Sequence, residues 1–293
     1  MSFSSETKEE LSKMNNLANK KQVNAELVGY LISNNTSISN NEIKYATESE
    51  YNINRFSKLL NNMQIIDYQI DMHGKSFVIT FDYDEIKKVN GLIVKDGSKL
   101  EIKEIKDDEE YIKVLIRGVF LGSGSMNNPK NKYHLEISLS TKENRILISK
   151  KLQDAGIKNK ELEGKKSYSL YIKEGEEISN FLAYIGANKA VLKFEEIRVQ
   201  RHMNNKVNRL VNCETANMNK TMNASIMQIE AIQKLKQKKQ FNKLEPSLKE
   251  IAEIRLQYPN EPLSELGKHL KEPIGKSGVN YRLKKIIEIA EEN

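Results

Sequence analysis

The chain has 293 residues, 30% charged and 38% apolar, enough to bury the cores of two modest domains. One cysteine, Cys213, excludes an internal disulfide framework and a cysteine-rich zinc site, and His73, His134, His202 and His269 show no metal-ligand spacing, so neither a cofactor nor a metal is expected. No apolar run reaches the ~18 residues of a membrane span, and Met1 to Met14 lacks the apolar core of a secretory signal. A reducing cytoplasm is the expected compartment, with no membrane partner.

The net charge of +7 lies at one end. Residues 198–293 hold 18 Lys/Arg and 11 Asp/Glu, whereas residues 1–197 hold 29 of each. A neutral body with a basic tail points to a polyanion held at the tail.

In chain order, the first two thirds read as α+β. Phe77, Ile79 and Phe81 alternate with polar residues, as do Tyr133, Leu135, Ile137 and Leu139, and then Tyr168, Leu170 and Ile172. Such alternation predicts half-buried strands. Asn144 to Leu152 predicts a helix that stops near Gly156. An internal repeat runs through this region. Ala25-Glu26-Leu27-Val28-Gly29-Tyr30-Leu31 resembles Leu115-Ile116-Arg117-Gly118-Val119-Phe120-Leu121, with the glycines 89 apart; Asn54-Arg55 echoes Asn144-Arg145 at 90; Lys75-Ser76-Phe77 echoes Lys166-Ser167-Tyr168 at 91. A duplicated unit of about 90 residues follows.

Ala187 to Leu244 contains neither Gly nor Pro and predicts a long polar helical connector; the lysine-rich stretch Gln233 to Lys239 reads as solvated or phosphate-facing. Three short helices then follow: Ser247 to Gln257, a second opened by Pro262, and Lys276 to Glu291 after a turn at Glu272-Pro273-Ile274-Gly275. Val279, Leu283, Ile286, Ile287 and Ala290 form the apolar stripe of the third. Its other face carries Lys276, Asn280 and Lys284, flanked by Ser277, Tyr281, Arg282 and Lys285. Phosphate neutralisers, a two-pronged amide and small hydroxyls near a helix start suit a recognition helix in a major groove. Ser264 and Lys268 of the preceding segment complete the candidate DNA contacts.

Four stretches stand out: Lys8-Glu9-Glu10-Leu11, Arg117-Gly118-Val119-Phe120-Leu121-Gly122-Ser123-Gly124-Ser125, Asn208-Arg209-Leu210-Val211-Asn212-Cys213-Glu214-Thr215-Ala216-Asn217, and Ile274-Gly275-Lys276-Ser277-Gly278-Val279-Asn280-Tyr281-Arg282-Leu283. In these the sequence resembles the WhiA family of bacterial regulators. The resemblance implies a LAGLIDADG homing-endonuclease-like domain of two αββαββα halves, residues 1–110 and 111–203. A helical linker at 204–222 and an all-α helix-turn-helix domain at 223–293, like region 4 of sigma factors, follow. The implied role is transcription regulation in cell division and chromosome segregation, with sporulation in some lineages. The implied partners are double-stranded promoter or operator DNA and other transcription or division proteins, for a monomer or weak oligomer at the nucleoid.

Active members of the endonuclease fold end each central helix with a carboxylate that holds divalent metal. Ser123 stands at that place in the second copy, and aligning Gly29 on Gly118 puts Asn34 there in the first. Neither residue supplies the charge two hard cations need, so no catalytic residues are expected. The acidic run Asp107 to Glu110 lies at the other end of its helix, where it favours helix initiation. Two further readings stand beside the regulator: a working metal-dependent endonuclease, and an adaptor whose basic tail binds RNA or protein.

Overall fold

The computed structural model describes residues 2–95, 98–105, 108–164 and 168–292. Contacts divide the chain into two units, residues 1–202 and 203–293, each with its own apolar core. Of the features read from sequence, Asp107 and the Lys166-Ser167 part of the repeat lie outside the described residues.

The first unit opens with α1 (Phe3–Ser12). A first copy follows: α2 (Lys20–Leu31), β1 (Thr36–Ser39), β2 (Glu42–Thr47), α3 (Glu50–Asn62), β3 (Tyr68–His73) and β4 (Ser76–Asp82). A helical turn of 3-10 type at Tyr83–Lys88 and a hairpin of β5 (Leu92–Lys95) and β6 (Lys99–Ile102) lead to the second copy. That copy is α4 (Glu109–Ser123), β7 (Ser125–Met126), β8 (Leu135–Leu139), α5 (Lys142–Asp154), β9 (Lys160–Glu163) and β10 (Tyr168–Ile172), closed by α6 (Gly175–Tyr184). The two antiparallel sheets have the same order, β1-β2-β4-β3 and β7-β8-β10-β9, so the duplication in sequence is a duplication in topology. The closing helix of the second copy has only the 3-10 turn and hairpin as its counterpart in the first.

Alternation sets how β4 and β8 lie, whereas β3 and β9 are exposed along nearly their whole length. Leu135, Ile137 and Leu139 are buried, while Glu136 and Ser138 are only half-buried. In β4, Ile79 and Phe81 point inward, and Phe81 meets Phe56 of α3 at 6.4 Å between ring centroids. Helix starts are capped by local side chains: Asn52 N donates to Ser49 Oγ at 3.3 Å, Asn144 N to Thr141 Oγ1 at 3.2 Å, and Glu110 N to Asp108 Oδ1 at 3.0 Å. The paired caps correct one echo in the repeat. Ser49 corresponds to Thr141 and buried Asn52 to buried Asn144, an offset of 92. Asn54, matched to Asn144 at an offset of 90, is exposed, so that match pairs positions that are not equivalent.

The central contact is α2 against α4, where Gly29 and Gly118 meet reciprocally. A β-carbon on Gly29 would stand 2.3 Å from Leu115 O, and one on Gly118 would stand 2.1 Å from Glu26 O. Only glycine permits backbones this close. Beside the contact, Glu26 and Arg55 are buried and bonded in a two-pronged pair, Nε to Oε1 at 2.7 Å and Nη2 to Oε2 at 2.8 Å. Arg55 Nη1 donates to Met14 O at 2.7 Å, which ties the α1–α2 connection to α3.

Helix α7 (Asn188–Gln237) begins against the first unit. Glu10 of α1 takes its first amides, accepting from Lys189 N at 2.8 Å and Ala190 N at 3.0 Å, and Phe194 packs on Phe3. Residues 203–220 of α7 are exposed on every side. Its last turns put Ile232 and Leu235 into the second core, with α8 (Pro246–Gln257), α9 (Leu263–Leu266) and α10 (Lys276–Glu292). Helix α9 is a single turn, with Pro262 at its N-cap rather than its first helical position.

Candidate nucleic-acid interface

The second unit is built to present α10. Leu248, Ile251 and Ala252 of α8, with Leu266 and Leu270, receive Val279, Leu283, Ile286 and Ala290. Gly267 allows the turn before α10 to fold back: a β-carbon there would stand 2.1 Å from Ile274 O, while Ile274 N donates to Gly267 O at 3.2 Å. The same β-carbon would stand 3.1 Å from Val279 Cγ2 of α10, so the glycine admits both the turn and the helix after it. Arg255 is buried and holds the connection after α8, donating from Nη1 to Glu261 O at 2.8 Å. Burial pulls its guanidinium below the ordinary value, and the charge of Glu261 opposes that shift.

Opposite the buried stripe of α10, Ser277, Tyr281, Lys284 and Glu288 are exposed at i, i+4, i+7 and i+11, with Tyr281 67% exposed. Lys276 is exposed and Asn280 half-buried on one flank of this row. Arg282 is half-buried on the opposite flank, towards the core. The row ends in Glu288, Glu291 and Glu292, so only the first three turns offer a surface matched to phosphate. Ser264 is exposed on α9.

Two of the sequence-chosen cations are already engaged. Lys285 Nζ lies 3.6 Å from Glu245 Oε1, and Lys268 Nζ lies 2.8 Å from Glu265 Oε1. Two lysines of the stretch read as solvated or phosphate-facing have structural partners: Lys234 Nζ donates to Ala290 O near the C-terminus of α10, and Lys236 lies 4.8 Å from the Phe241 ring centroid. Apart from Lys268 with Glu265, whose spacing of three residues could have been read, what sequence reading missed here is pairing between elements.

In the first unit, Asn34 and Ser123, the positions where the sequence resemblance implies lost carboxylates, meet at one carbonyl. Ser123 Oγ donates to Ser138 O, and Asn34 N donates to the same carbonyl at 3.0 Å. Asn35 Nδ2 donates to Gly122 O at 2.8 Å, and a β-carbon on Gly122 would stand 2.7 Å from buried Ser33 Oγ. The neighbourhood of Asn34 and Ser123 is thus hydroxyl, amide and carbonyl, with the Ser123 side chain and the Asn34 backbone amide both on one carbonyl and the Asn34 side chain exposed. Among the described residues, no group of three or more His, Cys, Asp or Glu side chains is placed to hold a metal ion, and no helix is long and apolar enough to cross a membrane.

Comparison with known proteins agrees with this architecture. Residues 112–204 match the WhiA LAGLIDADG-like domain and residues 207–290 the WhiA C-terminal HTH domain. A Clostridium perfringens protein named "Probable cell division protein WhiA" is 45% identical over 207 residues, 71% of this chain; the chain spans 65% of that relative's length. A Clostridium acetobutylicum protein of the same name is 42% identical over 232 residues, 79% of this chain and 72% of the relative. The crystal structure of full-length WhiA from Thermatoga maritima superposes with a TM-score of 0.61 at 30% identity, covering 100% of this chain and 99% of that one. With both domain families matched in order and relatives similar across most of its length, the chain belongs to the WhiA family.

Proposed function

We propose that the chain is a sequence-specific transcription regulator that binds double-stranded promoter or operator DNA. On this reading it serves cell division and chromosome segregation, with sporulation in some lineages, and its endonuclease-like unit does not cut. It works in the cytoplasm at the nucleoid, as a monomer or weak oligomer, with other transcription or division proteins as further partners. The observation that carries this reading is α10: its apolar stripe is buried, and Lys276, Ser277, Asn280, Tyr281 and Lys284 lie together on the first three turns. The names of the relatives support the division role.

Each residue then has a distinct expected contribution. Asn280 offers an amide matched to an adenine edge, so Asn280→Ala should cost about 1–3 kcal/mol on the specific site and far less on random duplex. Lys284→Ala should weaken both alike and lower the salt slope by about one unit. Lys285→Ala should do less than Lys284→Ala, because Glu245 already holds that ammonium. Titration of specific and random duplexes at several salt concentrations checks all three. Equal losses for Asn280→Ala on both duplexes would remove base reading from this helix, and tighter binding of structured RNA would replace DNA as the partner.

Catalytic silence follows from the Asn34 and Ser123 neighbourhood. Magnesium or manganese should give no cleavage of bound plasmid above the level of a Gly118→Arg variant. Metal-dependent nicking by the natural chain alone would show that this region, or another, still assembles a metal site.

A further inference from the structure

The first unit contains a buried cation that the duplicated fold does not need. Arg117 of α4 is 6% exposed. Its Nε donates to Ile185 O at 2.7 Å, at the C-terminus of α6. Among the described residues, no hydrogen bond or ion pair engages its Nη1 or Nη2. The two carboxylates whose charge reaches it are otherwise committed: Glu26 to Arg55, and Glu110 to Gln22 Nε2 at 3.4 Å. Burial accordingly holds Arg117 below the ordinary guanidinium value. At Arg55 the same burial is outweighed by Glu26, and the value rises.

Arg117 lines a cleft of about 820 Å³ between the start of α4 and the ends of α5 and α6, within the size range of small-molecule sites. Lys113 and Lys151 share the wall with Glu110 and Asp154, and Lys113 is held by Glu109 at 2.8 Å. The first copy supplies an internal comparison. Its corresponding cleft, about 540 Å³, lies at the start of α2 and the end of α3. There the joint is closed without charge: Asn24 Nδ2 donates to Asn90 O at 3.0 Å, and Asn90 N donates to Asn24 Oδ1 at 2.8 Å. At the glycine offset Asn24 corresponds to Lys113, and buried Val28 holds the place of Arg117, so the first copy closes its helix–loop joint without a guanidinium. In the second copy one is present, with the two terminal nitrogens that form a fork for an oxyanion left over.

We propose that this cleft binds the carboxylate or phosphate group of a small molecule on the Nη1–Nη2 edge of Arg117. The acids on the wall disfavour a large polyanion, so nucleic acid is not the occupant. The site lies in the endonuclease-like unit and stands whether or not α10 reads DNA.

The test is calorimetric titration of the full chain with inorganic phosphate, and separately with acetate, at ionic strength fixed with sodium chloride. At least one probe should bind with a dissociation constant on the order of 1 mM. Arg117→Gln should weaken it at least 10-fold. Ala183→Trp, at an exposed wall position, should block the cleft while leaving the bond to Ile185 O in place, and so decides the matter if Arg117→Gln fails to fold. Preference for phosphate or for acetate identifies the ligand's anionic group. No binding of either probe, or binding unchanged in Ala183→Trp, overturns the proposal.

Discussion

Glu26→Gln should destabilise the first unit by about 3–5 kcal/mol, the usual cost of stranding a buried charge. Glu26 and Arg55 are both buried, and the carboxylate accepts from both Nε and Nη2 of the guanidinium. Without its charge, Arg55 keeps Met14 O and Asn16 Oδ1 but loses its counter-ion. The loss should be coupled rather than additive. A Glu26→Leu, Arg55→Met double variant should recover much of it, because an apolar pair of similar volume removes the desolvation cost together with the bond. The natural reporter is the near-ultraviolet tyrosine signal, since Tyr30 and Tyr45 pack on Phe56 beside this pair and the chain has no tryptophan. A change below 1 kcal/mol for Glu26→Gln would mean that water reaches Arg55.

Gly118→Ala should be the second large effect, and its sign is the informative part. In a free helix, alanine is about 1 kcal/mol better than glycine. Here the new methyl would sit 2.1 Å from Glu26 O, a backbone atom that cannot rotate away. The central helices must separate, so a loss of at least about 2 kcal/mol is expected. Gly275→Ala meets no atom within 4 Å and serves as the control, with little change. A neutral or stabilising Gly118→Ala in denaturant titration would mean that the central helices are not held this close.

Much of the frame was legible in the chain because it is periodic. Alternation placed β4, β8 and β10, and the glycines 89 apart marked the central contact. The finer register was not legible: insertions between copies shift the offset from 89 at the glycines to 92 at the helix caps, and only hydrogen bonding shows which asparagines correspond. At α10, periodicity separated the buried from the exposed face. It could not show that Lys285 is engaged by Glu245, because that pairing depends on what a neighbouring element places nearby, whereas Glu265, three residues before Lys268, was within reach of spacing and went unread. Arg117 was visible as part of a motif, yet its spare donors follow from Ile185 O, contributed 68 residues later.

The bond from Glu10 to the first amides of α7 spans nearly the whole first unit, from residue 10 to residues 189 and 190. The α2–α4 contact likewise waits for the second copy. On the ribosome, the first copy therefore emerges with the partner-facing side of α2 uncovered, and α1 has nothing to cap until some 190 residues have been made. Closure of this unit is late in synthesis and dominated by distant pairings, the regime in which folding is slow and incomplete chains expose apolar surface. Ribosome-stalled chains ending before α4 should be digested readily by protease. Chains in which α7 has cleared the exit tunnel should resist.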